Sequence, residues 1–192
     1  MQPNARLPQI ILIATFIGFS WLAMQVVHEL GHILGGIAGG GTIARVVLYP
    51  FAFSQTEVIP NPHPLLEVWS GAVVGAFLPL AIFLIATKFR SRGLYLFRFF
   101  AGFCLIANGF YLGVASIKGI ADAGELLLYG SRQWQLILFG LMTVPLGLYL
   151  WNGIGSYFGL GEARGKVDRT ATVVSLCLFV AVVGIEMLIG SR

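Results

Sequence analysis

The residues best equipped for chemistry are His28-Glu29-Leu30-Gly31-His32, late in the first of several long apolar stretches. Histidines at i and i+4 lie on one helix face a turn apart, so both imidazoles can reach a single metal ion. Glu29 stands beside them, suited to take a proton from metal-activated water. Zinc fits such a set because it accepts His and carboxylate ligands and keeps its fourth position open in catalytic sites. The same pattern occurs by chance in soluble helices. Within a membrane span it is far more specific, because every buried ionisable group there needs compensation. A single intramembrane His is satisfied by a neighbouring helix, whereas three ionisable groups in five residues need several partners, which one metal ion supplies together.

The elements that must hold these residues follow from composition. Of 192 residues, 57% are hydrophobic and 10% charged, against about 45–50% and about 25% in ordinary soluble domains. So short a chain cannot hide that much apolar surface inside a water-soluble globule. A soluble enzyme, a disordered tail, a coiled coil and a nucleic-acid-binding module are thereby excluded. The net charge of +4 does not point to nucleic acid, since the cations are scattered between apolar runs. Cys104 and Cys177 lie inside apolar stretches without CxxC spacing and read as small hydrophobes. The expected fold is an all-α polytopic membrane protein, one integral domain over residues 1–192, in a multi-pass arrangement in the lipid bilayer.

About 20 apolar residues cross the hydrocarbon layer as a helix, and five stretches qualify. Three form an expected core at about 7–38, 68–87 and 99–120, and two are accessory at about 133–154 and 170–189. Arg6 and the apolar run after it resemble a signal peptide, but bulky Trp21 and continuing apolar sequence predict an uncleaved anchor. Pro145 predicts a kink in the fourth span, and Glu186 interrupts the fifth without an assigned role. Glycine pairs at GxxxG spacing, Gly36/Gly40, Gly71/Gly75 and Gly109/Gly113, permit close helix approach, although 25 glycines generate such pairs by accident. Between the first two spans, 42–53 is rich in strand-favouring residues, with Pro50 barring a regular central strand. A short β-hairpin or re-entrant segment, or else a plain loop, is expected there.

This chain resembles the site-2 protease family of intramembrane zinc metalloproteases. The likeness rests on His28-Glu29-Leu30-Gly31-His32, the Gly-rich and strand-like 39–53 segment, Ser70-Gly71-Ala72-Val73-Val74-Gly75, and Asp122-Ala123-Gly124, and covers about residues 10–130. The resemblance implies one Zn2+ per chain, held by His28, His32 and Asp122, with Glu29 as the general base. It implies hydrolysis of a peptide bond in or near a transmembrane segment of a membrane-spanning protein substrate, in a bacterial-type cell membrane. The first and third spans run parallel, so His32 and Asp122 fall at the same side of the bilayer. Glu125 is the substitute ligand, and Glu57, Glu67 and His63 are weaker candidates on the loop after the first span. The family places Asn and Pro shortly before its Asp, whereas here the nearest Asn is Asn108, without a Pro. Fourteen residues of unbroken helix span about 21 Å, so either the helix unwinds near Gly109 or Gly113 or Asn108 bonds another helix. Asn108 is left out of the expected site, and the oxyanion-stabilising group is unassigned.

Other readings are a catalytically silent membrane homologue acting as a binding or assembly partner, and a metal or solute transporter. The intact Glu29 speaks against the first, and the lack of a repeated His-Glu cluster against the second. Arg6, Lys88, Arg90, Arg92, Arg98, Arg164, Lys166 and Arg169 fall on one side of a five-span layout, and Arg45, Lys118, Arg132 and Arg192 on the other. The excess of Lys and Arg favours the first side as cytoplasmic, while bacterial members of the family are expected to carry the zinc end toward the cytoplasm. The side faced by the site is left open, as are the substrate, the regulatory partner and the oligomeric state.

Overall fold

With no water in hydrocarbon to pair with backbone amides, a spanning segment satisfies them internally, and long apolar runs become helices. The computed structural model describes residues 6–89 and 93–190; Arg90, Arg92 and Arg192 of the cation pattern lie outside them. Five helices are long and apolar enough to cross a membrane: α1 (Leu7–Ala38), α2 (Pro64–Thr87), α3 (Leu94–Lys118), α5 (Gln133–Trp151) and α6 (Arg169–Gly190). A two-stranded antiparallel sheet, β1 (Ile43–Val47) and β2 (Gln55–Val58), follows α1. A short helix, α4 (Ala121–Leu128), follows α3. The all-α polytopic architecture is as expected, with shifted bounds. The second helix starts earlier at Pro64, the third runs Leu94–Lys118, and α5 stops at Trp151, where Asn152 turns extended. Pro145 and Pro79 both lie inside helices that continue past them.

The strand-like 42–53 stretch is not one strand. Pro50 sits in the turn, and the second strand comes from Gln55-Thr56-Glu57-Val58 beyond it. Arg45 pairs with Glu57, Val46 with Thr56 and Val47 with Gln55, with a register irregularity between Ile43 and Arg45. Thr56 and Val58 are half-buried while Gln55 and Glu57 are exposed, the alternation of a strand with one face against the protein. Val58 and Ile43 cover Gly36 of α1, where a side chain would collide with them.

α1 packs along α2, α2 along α3, α3 along α5, and α6 along α1. Small residues set the closest approaches. Gly31 and Gly35 of α1 face Glu67, Ser70 and Gly71 of α2, and Gly102 and Gly109 of α3 face Gly147 and Gly140 of α5. Gly36/Gly40 is thus not a helix-packing pair, since Gly36 meets the hairpin and Gly40 has nothing near it. At one end an aromatic core of Phe16, Tyr95 and Phe158 with Phe99 and Trp151 joins α1, α3 and the turn after α5. At the other, Val68, Ala72, Leu112, Ala123, Leu126 and Leu136 tie α2, α3, α4 and α5 together.

Candidate metal centre

His28 and His32, one turn apart on α1, turn their rings to the same place, with centroids 4.8 Å apart. Both are buried. The ring of His32 fits there because Gly71 on α2 has no side chain; a Cβ at that position would overlap the imidazole. Asp122 arrives from the far side. Gly119, in the left-handed region at φ 61°, ends α3, and Ala121, at φ 51°, turns the chain into α4. A left-handed conformation costs a non-glycine residue roughly 1–2 kcal/mol. Here it is held by Ala123 and Leu126, which are fully buried in the core beneath α4.

Three donor atoms meet. Asp122 Oδ2 lies 2.8 Å from His28 Nε2 and 3.4 Å from His32 Nε2, and the two Nε2 atoms lie 3.0 Å apart. A tetrahedral ion with bonds of about 2.0–2.2 Å has ligand-to-ligand edges of about 3.3–3.6 Å. The observed triangle is one face of such a tetrahedron, slightly contracted.

The outer nitrogens decide what the inner ones present. Asn108 Nδ2 donates to the Cys104 carbonyl at 2.9 Å, so its Oδ1 faces His28 and accepts from Nδ1–H at 2.7 Å. His32 Nδ1–H donates to Glu67 Oε1 at 2.6 Å, and Asn61 Nδ2 donates to Glu67 Oε2 at 3.3 Å. With both Nδ1 atoms carrying the hydrogen, each neutral ring offers a bare Nε2 lone pair. Two such lone pairs and a carboxylate oxygen repel at this range unless a cation lies among them, either a proton or a metal ion. Imidazoles oriented by a carboxylate or carbonyl on the outer nitrogen are the usual arrangement of metal-binding histidines. Two imidazoles and one carboxylate are a donor set that zinc accepts where three protein ligands hold it. Burial opposes ionisation at Asp122, but where protons take the cation's place on the imidazoles, hydrogen bonding and charge from His28 and His32 overcome it and hold the carboxyl well below the usual carboxylate range.

Glu29 is 3% exposed, and its Oε2 accepts a hydrogen bond from the Thr56 hydroxyl at 2.6 Å. The Tyr111 ring stands nearly perpendicular to that of His28, with centroids 6.1 Å apart.

The structure therefore brings His28, His32 and Asp122 together as a group able to hold a metal ion, with Glu29 next in the chain. Glu125, the substitute ligand, is exposed and outside that group; burial, then the nearby charges of Asp122 and Glu67, raise its carboxyl. Glu57 and His63 are exposed, and neither joins the group. Glu67 lies in the first turn of α2, not on the loop, and grips the outer nitrogen of His32. Asn108 corrects the expectation that kept it away. The estimate of about 21 Å assumed one straight helix from Asn108 to Asp122, whereas the chain breaks at residues 119–121, and the two residues take opposite nitrogens of one imidazole. Glu186 is buried and has no hydrogen bond or ion pair among the described residues. Thr56 escaped sequence reasoning, whereas Asn108 was weighed as the nearest upstream Asn and set aside on distance. No protein-family model matches the chain, and comparison with curated proteins and with solved structures gives no match either.

Proposed function

We propose that this protein is a zinc-dependent intramembrane protease of the site-2 protease kind, hydrolysing a peptide bond in or near a transmembrane segment. The observation that carries this reading is the convergence of His28 Nε2, His32 Nε2 and Asp122 Oδ2 on one point, their rings locked by Asn108 and Glu67. Zinc held there would supply Lewis acidity, making a water easier to deprotonate and a peptide carbonyl easier to attack. The chain's own residues do the rest. Asn108 and Glu67 fix the tautomers of His28 and His32, so that neither ring is free to rotate or to donate from Nε2. Glu29 accepts the proton of the attacking water and returns it to the departing amine. With Oε2 engaged by Thr56, the Oε1 oxygen is the one left for that transfer.

A transmembrane helix hides its carbonyls in its own hydrogen bonds, so a substrate segment unwinds before it is cut. The hairpin after α1 is the element suited to hold it, by adding the extended peptide to a sheet edge. Proline substitutions along one free edge of the hairpin test that role, which falls if cleavage is untouched. The reading as a whole is tested by zinc analysis of the purified protein alongside its His28→Ala and Asp122→Ala variants. Cleavage of single-span peptides bearing helix-breaking residues is measured in parallel. About one zinc per wild-type chain, lost in both variants together with cleavage, is the expected result. Retention of zinc by both variants overturns it.

A further inference from the structure

The hairpin hydrogen-bonds two side chains of α1, one of them the proposed base. Thr56 Oγ1–H donates to Glu29 Oε2 at 2.6 Å, and the Ser54 N–H donates to Gln25 Oε1 at 3.3 Å. Gln25 and Glu29 are one turn apart on the same face of α1. Four helical residues rise about 6 Å, and two strand residues advance about 6.6 Å. The two bonds are thus in step, and the 54–56 segment runs alongside α1 in the same direction. Gln25 is also buried, at 9% exposure. Among the described residues Thr56 is the one whose side chain hydrogen-bonds Glu29.

We propose that Thr56 is a positioning residue for Glu29, and that the hairpin acts as a latch that readies the base only while docked on α1. This rests on the reading of Glu29 as the base of a hydrolase. The donor that aims Glu29 belongs to the hairpin, not to the helix carrying the metal ligands. A peptide segment engaging the hairpin is thereby registered against the base, and loss of hairpin docking disarms the site without disturbing the metal. Thr56 pairs with Val46 across the hairpin, so its orientation depends on the hairpin being formed.

The test uses the full chain as wild type, Thr56→Val and Thr56→Ser, in detergent. Valine has nearly the shape of threonine without the hydroxyl, and serine keeps the hydroxyl. Amide hydrogen exchange across 54–58, zinc content, and kcat and KM on single-span peptides with helix-breaking residues are measured for each. Thr56→Val is expected to speed exchange by about tenfold, as for a lost hydrogen bond to a charged group. It should lower kcat by about tenfold or more with KM and zinc content unchanged, and Thr56→Ser should restore both readouts. Exchange and kcat at wild-type levels in Thr56→Val overturn the proposal. A wild type that holds zinc but cuts no peptide, with exchange still faster in Thr56→Val, overturns the hydrolase reading and leaves only the docking of the hairpin on α1.

Discussion

Each residue around the donor triangle has a separable job. Glu29 makes no hydrogen bond to any atom of the donor triangle, so on the proposed reading Glu29→Gln removes the base without removing a ligand. Cleavage should fall by about 10²–10⁴-fold, the usual worth of general acid–base catalysis, with zinc content by elemental analysis unchanged. Asp122→Asn replaces the only anionic corner of the triangle and should release the metal, while Glu125→Gln, lying outside the group, should not. Competition against a chromophoric chelator separates the two variants. Asn108→Ala and Glu67→Ala leave the ligands in place but unlock the rings, and should weaken zinc affinity by about 10–100-fold. His28, Glu29 and His32 were legible because their relation is local: helical periodicity alone puts two imidazoles on one face. Asp122 was reachable only through a family likeness. Glu67 was noticed as a carboxylate but given the wrong task, because whether it meets a metal or an imidazole depends on how α1 crosses α2.

Elements carry information that residue spacing does not. Three GxxxG pairs look alike in the sequence, yet they differ in what their missing side chains make room for. Gly71 accommodates the His32 ring and Gly75 the Asn108 amide, whereas Gly113 has only ordinary contacts at 3.9 Å around the place a Cβ would occupy. Gly71→Ala should therefore displace His32 and lose zinc, and Gly113→Ala should keep both zinc and fold, as read by metal content and thermal midpoint. The break between α3 and α4 was equally invisible. Gly119 signals a helix end, but nothing in Ile120-Ala121 announces a left-handed alanine, which is stabilised by the burial of Ala123 and Leu126 further along. That turn is what lets one imidazole be held by both Asn108 and Asp122. The number of spans was readable from apolar length alone, and the short α4 was not, since eight residues produce no hydropathy signal.

At the scale of the whole molecule, charge and chemistry separate to opposite ends of the bundle. Among the described residues, Arg6, Lys88, Arg98, Arg164, Lys166 and Arg169 flank the end away from the metal centre, and Arg45, Lys118 and Arg132 flank the end near it. The carboxylates Glu29, Glu57, Glu67, Asp122 and Glu125 belong to the elements at that same end. The positive-inside rule counts Lys and Arg in short loops, and every loop joining these helices is short. By that rule the basic end is expected in the cytoplasm and the candidate metal centre toward the opposite face, the reverse of what the family resemblance implies. Leu128 is exposed in the last turn of α4 and Glu162 is exposed between α5 and α6, so single cysteines at these positions report the two ends. In a background with Cys104 and Cys177 replaced, a membrane-impermeant thiol reagent added to intact cells should label Leu128→Cys, and Glu162→Cys only after lysis. The reverse pattern would mean that a carboxylate-rich end faces the cytoplasm while six basic residues lie outside. Orientation would then be set by something stronger than loop charge, and the substrate bond would be cut on the cytoplasmic side.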